Sequence, residues 1–476
     1  MPLSQVGRCA YHSPLHLRAR HSLPFQLQMG ATATGLGSGA AGTALRGRTA
    51  MTVNVLVFPC GSEIGLEIHA ALCRAKDIRL HGASSVSDHG EFVYARYQQI
   101  SAQAGSAELV PQLNALIDAW SIDLVVPAHD SVIPVFADNG DRLHAPAMVP
   151  DQHLAAICRN KNLTYERLQR LGIVPRSVEL GTTGYPIFAK PAIGQGSQGA
   201  ERVDEAARHQ QLANSGIEYV FSEYLPGTEY TVDCISSASG VLLHAAPRVR
   251  GRVKSGISVR TEPVETAPEL EAMAQAIATE LGLKGAWFFQ ARRDRDGVPK
   301  LLEVAPRIAG SMALNRMRGI NYPLLGIYAY MGHTFNVMPQ QYPLVMDRAL
   351  GNRWRAELAY KRVYLDLDDT LLVRGSPEPQ LMALLYQWSA RNVPVVLVTR
   401  HACAPEQTLA QHRICVDLFE RIVHLRDGSP KSASITPGEA AIFIDDAFSE
   451  RAEVAAARAI PVFDVDALEQ LMEVRA

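Results

Sequence analysis

The chain has 476 residues, 47% of them hydrophobic and 20% charged, with a formal net charge of -2. This length exceeds what one hydrophobic core supports, so two or more domains are expected, and the near-neutral charge argues against a nucleic-acid groove or a membrane surface as partner. Seven scattered cysteines without a Cys-x-x-Cys pair argue against a disulfide framework or a zinc site.

Residues 1–50 hold five arginines and no acidic residue, and include a small-residue run from Gly30 to Gly42. They read as a disordered leader or a misassigned start, with Met51 as the working start; a transit peptide would share this composition. From Asn54, short apolar runs alternate with helical ones: Val55 to Phe58, a helix from Glu63 to Lys76, Ile78 to His81, and Asp123 to Pro127. Such α/β alternation predicts a parallel sheet, assigned to a domain over 51–150. The turn from Pro59 to Gly65 either holds an anion at a helix N-terminus or is a plain strand-to-helix turn. A second domain, over 151–341, opens with a helix whose Thr164, Leu168 and Leu171 share a face and which Gly172 and Pro175 end. The uncharged stretch from Gly319 to Met346 is broken by prolines and polar residues, which rules it out as a membrane span. Residues 342–360 read as a connection and 361–476 as a third domain.

The second domain carries the first chemical constellation. A strand from Tyr185 to Ala189 runs into Lys190 and then Gly194-Gln195-Gly196-Ser197-Gln198-Gly199. A glycine loop after a strand lets backbone N–H groups approach phosphates, although a flexible hairpin would look the same. Glu223-Tyr224-Leu225-Pro226-Gly227-Thr228-Glu229 places two carboxylates around a bend whose backbone suits an adenine edge. Two apolar strands then end in Gln290 and Glu303 around the charged run Arg292 to Gly297. Paired across a hairpin, these side chains offer hard oxygen ligands to magnesium, or a structural hydrogen bond. Arg248, Arg250, Arg252, Lys254 and Arg260 flank the Ser255-Gly256-Ile257-Ser258 turn; they receive a carboxylate or phosphates, or form an exposed basic strand face.

The order and spacing of these elements, from about Met51 to Gln340, resemble the ATP-grasp superfamily, in particular its carbamoyl phosphate synthetase and pyrrolysine-ligase branch. The resemblance implies a pre-ATP-grasp parallel-sheet domain followed by an α+β ATP-grasp domain. It assigns Lys161 and Lys190 to ATP phosphates, Gly194, Gly196, Ser197 and Gly199 to the phosphate-covering loop, and Glu223, Tyr224, Leu225 and Glu229 to the adenosine. Gln290 and Glu303 would hold Mg2+, with Mn2+ as an alternative, while Arg307 would steady the transferred phosphoryl group or the acyl phosphate; from the basic run around Ser255, Arg250 is the candidate for receiving the carboxylate or phosphates. Ala305 stands where many relatives carry a metal-binding Asn. The Glu303-Val304-Ala305-Pro306-Arg307 form is similar to the carboxyaminoimidazole ribonucleotide synthase branch.

The third domain carries a second constellation. Val363-Tyr364-Leu365-Asp366-Leu367-Asp368-Asp369-Thr370 is an apolar strand running into three carboxylates, which make sense together around a cation. Val395 to Thr399, Lys431 in a Ser-Pro-Lys-Ser turn, and Ile442 to Asp446 follow. This set resembles the four motifs of the haloacid dehalogenase (HAD) superfamily. It implies a small Rossmann-like phosphatase domain with Asp366 as nucleophile, Asp368 as general acid and base, Thr399 and Lys431 on the phosphoryl oxygens, and Asp366, Asp445 and Asp446 on magnesium, joined by the Asp368 backbone. Only 28 residues separate Thr370 from Thr399 and 31 separate Thr399 from Lys431, which leaves no room for a substantial cap.

The sequence thus predicts a cytosolic bifunctional enzyme: an ATP- and Mg2+-dependent carboxylate–amine ligase joined to a phosphatase for a phosphorylated metabolite, with a homodimer as one expected assembly. The alternatives are an ATP-grasp kinase or carboxylase opposed by the phosphatase, and a regulatory nucleotide-binding protein with one decayed centre.

Overall fold

The computed structural model describes residues 52–181 and 184–473. The expectations for residues 1–50 and for Met51 lie outside these. No helix among the described residues is long and apolar enough to cross a membrane.

The N-terminal part is a four-stranded parallel sheet built from β1 (Val53–Phe58), β2 (Ile78–Ser84), β3 (Tyr97–Gln99) and β4 (Leu124–Pro127), in the order β3-β2-β1-β4. Val53, Val55 and Val57 enter one core and Leu56 and Phe58 another, as a parallel strand covered on both faces requires. The first helix ends at Leu72 rather than Lys76, and its start is capped by Ser62, whose Oγ accepts from Gly65 N at 2.9 Å. A Cβ at Gly65 would lie 2.2 Å from Cys60 O, so the tight entry admits no side chain. The Asp88 carboxylate already packs against Gly61, where an added Cβ would meet Asp88 Oδ1 at 2.1 Å.

Two antiparallel sheets follow. The smaller joins β5 (Ile187–Pro191), β6 (Glu201–Val203) and β7 (Tyr219–Glu223) in the order β6-β5-β7. The larger joins β8 (Glu229–Ser236), β9 (Leu242–Lys254), β10 (Ile257–Pro263), β11 (Gly285–Arg293), β12 (Pro299–Ala305) and β13 (Met346–Asp347) in the order β12-β11-β8-β9-β10-β13. Strand β11 runs on to Arg293, so the charged turn is shorter than expected, and the stretch read as a connection supplies β13. Alternation along β11 sends Trp287, Phe289 and Ala291 into the core under helix Pro268–Leu281.

A buried ion pair ties this sheet together. Arg248 Nε and Nη2 donate to Asp233 Oδ2 and Oδ1 at 2.9 and 3.0 Å, and Asn315 Nδ2 adds a donor at 2.9 Å. Tyr322 Oη donates to the Asp233 carbonyl at 3.0 Å, which fastens helix Tyr322–Tyr330 to β8. Arg248 therefore departs from the expected basic cluster; Arg252, Lys254 and Arg260 stay exposed on the hairpin.

The C-terminal part places β14 (Arg362–Leu365) at the centre of a five-stranded parallel sheet. A small flap of β15 (Leu372–Val373) and β16 (Ser376–Pro377) leads to helix Pro379–Ala390. The sheet continues with β17 (Val395–Thr399), β18 (Arg421–His424), β19 (Ala441–Ile444) and β20 (Val462–Phe463), in the order β18-β17-β14-β19-β20. Val363, Leu365, Val395 and Leu397 fill one core, and Tyr364, Val396 and Val398 the other.

Asp233 and Arg248 are both buried, so Asp233→Ala strands an unpaired guanidinium. We expect a loss of about 3–5 kcal/mol, read as a lower urea midpoint, whereas Arg252→Ala on the exposed hairpin should change it by under about 1 kcal/mol.

Candidate functional site

A cavity of about 440 Å3 lies over the inner face of the larger antiparallel sheet. Antiparallel register puts partners on the same face, and here it makes a row: Glu303 opposite Gln290, Gln290 opposite Thr231, and Thr231 opposite Arg248. All four line the cavity. Gln290 and Glu303 thus stand together, and this donor set fits a hard divalent cation. Ala305, also on the lining, adds no side-chain ligand.

The register also explains how Lys190 is held. A bulge between Gln290 and Ala291 leaves Leu302 outside the regular pairing, and its carbonyl accepts from Lys190 Nζ at 2.8 Å. Tyr165 Oη takes a second bond from Lys190 Nζ at 2.7 Å. Burial pushes the Lys190 ammonium down to about 7 against the pull of Glu303, with Lys161 adding repulsion. Lys161 lies 3.9 Å from Glu303, and its Nζ reaches the Gly194 carbonyl at 3.5 Å.

The glycine loop forms one rim. Gly194, Gly196 and Ser197 line the cavity, but Gly199 does not. Gly196, at φ 60°, meets the tip of the β9–β10 hairpin. A Cβ on Gly256, itself at φ 75°, would sit 2.2 Å from the Gly196 carbonyl carbon, so the two loops touch backbone to backbone. Gln195 Nε2 donates to His129 Nε2 at 3.2 Å, reaching the segment after β4.

At the expected adenosine end, Glu223 and Leu225 line the cavity, and Glu223 accepts from Arg176 N at 2.9 Å. Tyr224 does not line it; its ring sits beneath the Arg202 guanidinium, 5.1 Å from the ring centroid. Glu229 lies 2.7 Å from Arg250 Nε, so this carboxylate and Arg250 are brought together rather than separated as expected. Arg307 donates to both Asp130 oxygens at 2.6 Å, and Arg348 Nη2 to Glu63 at 2.8 Å. Burial raises the Asp130 carboxyl, but the Arg307 guanidinium outweighs it and holds the group below the usual carboxylate range. Sequence reasoning missed Glu63, His129, Asp130, Thr231 and Arg348. Asp130 reaches Arg307 across 177 positions, a pairing no local pattern reveals.

A second centre lies at the tips of β14, β17 and β19. Asp366, Asp445 and Asp446 bring ligand oxygens within 4.8 Å of one another, a donor set that fits a divalent cation. Lys431 Nζ bridges Asp366 Oδ1 at 2.7 Å and Asp445 Oδ2 at 2.6 Å. Burial pushes the Asp366 carboxyl up to about 6 despite Lys431. Thr399 is fully buried at the end of β17, and its Oγ1 accepts from His401 N at 3.1 Å. The Asp368 side chain stands outside the carboxylate cluster, half exposed, where both oxygens contact His401 Nδ1 at 2.8 and 3.0 Å. His401 was also missed; no motif spacing singles it out.

Residues 217–349 match the model of a family described as ATP-grasp in the biosynthetic pathway with Ter operon. This segment is ATP-grasp. Its family implies use of ATP and Mg2+. No curated protein matches the chain. Among solved structures, an ADP complex of N5-carboxyaminoimidazole ribonucleotide synthetase aligns at 18% identity and TM-score 0.51, over 63% of this chain and 81% of that one. The biotin carboxylase domain of Hydrogenobacter thermophilus 2-oxoglutarate carboxylase, with MgADP and bicarbonate, aligns at 16% and 0.51, over 61% and 72%. Staphylococcus aureus N5-carboxyaminoimidazole synthetase with ADP aligns at 14% and 0.50, over 63% and 82%. At these identities the likeness shows the fold: a parallel N-terminal sheet followed by the antiparallel grasp sheets.

Two measurements test the ATP-grasp cavity and the carboxylate centre. If ATP phosphates meet Lys190, whose ammonium burial holds down to about 7, the lysine regains a proton on binding, and at pH 8 ATP should take up close to one proton. Calorimetry in buffers of different ionisation heat reads this; Lys190→Arg should abolish the buffer dependence. If Mg2+ binds at the second centre, it competes there with a proton on Asp366. Its apparent affinity should weaken about 10-fold between pH 7.5 and pH 5, and Asp366→Asn should flatten that dependence.

Proposed function

We propose that the protein is an ATP- and Mg2+-dependent carboxylate–amine ligase carrying a C-terminal HAD-type phosphatase centre. The observation that carries the ligase reading is the register-matched pair Gln290 and Glu303 beside Lys161 and buried Lys190, within one cavity of the ATP-grasp segment. Bound Mg2+ would be held by Gln290 and Glu303 and would neutralise phosphate charge.

In the ligase reaction, an oxygen of the acceptor carboxylate attacks the γ-phosphorus; the bond to the bridging oxygen breaks and ADP leaves. An amine then attacks the acyl phosphate carbon, loses a proton, and expels inorganic phosphate, leaving an amide. Lys161, Lys190 and Arg307 hold the phosphoryl oxygens, while the abutting Gly196 and Gly256 loops keep water from the acyl phosphate. Glu223 and the Leu225 backbone face the adenosine.

The HAD reading is supported by Asp366, Thr399 and Asp445 at neighbouring strand tips of one parallel sheet, with Lys431, from the short helical turn before β19, reaching both Asp366 and Asp445. An Asp366 oxygen attacks the phosphorus of a phosphomonoester, and the alcohol leaves with a proton from Asp368. Water then gives a proton to Asp368 and hydrolyses the aspartyl phosphate, releasing phosphate. Bound Mg2+ at Asp366, Asp445 and Asp446 would screen the negative charge around the phosphoryl group.

The test separates the two centres. Glu303→Ala should lower acceptor-dependent ADP release by at least about 100-fold while p-nitrophenyl phosphate hydrolysis persists, and Asp366→Asn should do the reverse. Joint loss in either variant, with folding intact by circular dichroism, would contradict two independent centres.

A further inference from the structure

Two polar atoms on the inner sheet face stand out because burial normally forces pairing. Arg248 and Thr231 are each 1% exposed, yet Arg248 Nη1 and Thr231 Oγ1 find no hydrogen-bond partner among the described residues. Asn315 Oδ1, behind the Asp233 pair, shares this state but does not line the cavity. Arg248 and Thr231 do line it, and they face each other across β8 and β9. Side chains in such register come within about 5 Å of one another at Cβ, close enough to serve a single ligand group. Leaving a buried donor unmet costs roughly 1–3 kcal/mol, a cost that a ligand removes on arrival.

We propose that Arg248 Nη1 and Thr231 Oγ1 seat the carboxylate of the acceptor substrate, one oxygen on each donor. This deepens the ligase reading and rests on it. The charge balance selects the ligand class. Asp233 occupies Nε and Nη2 of Arg248 and neutralises its charge, so the seat offers only two donors and little net positive field. That suits a planar monoanion with two oxygens. A phosphate dianion with three oxygens is drawn instead to Lys161 and Lys190, neither of which is held by a two-point carboxylate contact. The seat also lies where the chemistry needs it. Thr231 is the cross-strand neighbour of Gln290, which itself neighbours Glu303, so a carboxylate held there sits on the same row as the residues that would hold the cation.

Arg248 variants would break the Asp233 pair and risk unfolding, so Thr231 is the site to change. Thr231→Val keeps the shape and removes the hydroxyl; Thr231→Ser restores it. The probes are acetate, succinate and each of the twenty amino acids, titrated calorimetrically into protein saturated with Mg2+ and a non-hydrolysable ATP analogue. We expect at least one carboxylate to bind, about 10-fold more weakly to Thr231→Val and with wild-type affinity to Thr231→Ser, while affinity for the analogue itself is unchanged in both. Equal carboxylate affinity in wild type and Thr231→Val overturns the seat. So does binding of the analogue to wild type with no carboxylate bound. Failure of wild type to bind the analogue overturns the ligase reading itself.

Discussion

In an antiparallel sheet, residues opposite one another share a side, and this rule assembles the ATP-grasp cavity floor. Glu303, Gln290, Thr231 and Arg248 come from four strands spread over the sequence, yet register sets them in one row. A slip of one residue in any pairing would turn a polar group into the core beneath, where Trp287, Phe289 and Val232 pack. The Asp233–Arg248 pair guards against that slip. It satisfies two buried charges only when β8 and β9 stand in this register, and it couples both to the helices that carry Asn315 and Tyr322. The bulge at Leu302 is part of the same construction, because the carbonyl it frees is the one that orients Lys190.

The C-terminal centre solves a different problem. Parallel strands end together, and their tips bring carboxylates close enough to repel. Lys431 offsets that repulsion for Asp366 and Asp445, both buried, and burial still keeps Asp366 reluctant to ionise. Asp368 escapes the crowding by turning to His401 at the half-exposed edge.

Much of this was legible in the sequence because strand tips announce themselves: an apolar run ending in Asp366, Thr399 or Asp445 has one physical reading. Gln290 was legible in the same way, as the polar residue that follows the apolar run Phe288-Phe289. Other features were hidden because they depend on pairing between distant segments. Nothing near Thr231 marks it as polar and unpaired, and nothing near Arg348 marks a connecting segment as a strand that returns to line the cavity. The basic run around Ser255 misled for the same reason. Composition groups Arg248 with Arg252 and Lys254, and alternation even sets all three on one face of β9; what separates them is position along the strand, the first lying within the packed body of the sheet and the others on its exposed hairpin end.

The meeting of Gly196 with Gly256 carries a last implication. Where two turns abut through bare main chain, no interlocking side chains add to the adhesion, and the few van der Waals contacts involved are individually worth only about 0.1–0.2 kcal/mol. Fit at this point is therefore a matter of main-chain shape alone, and any side chain at position 256 would force the two turns apart and leave a gap in the rim.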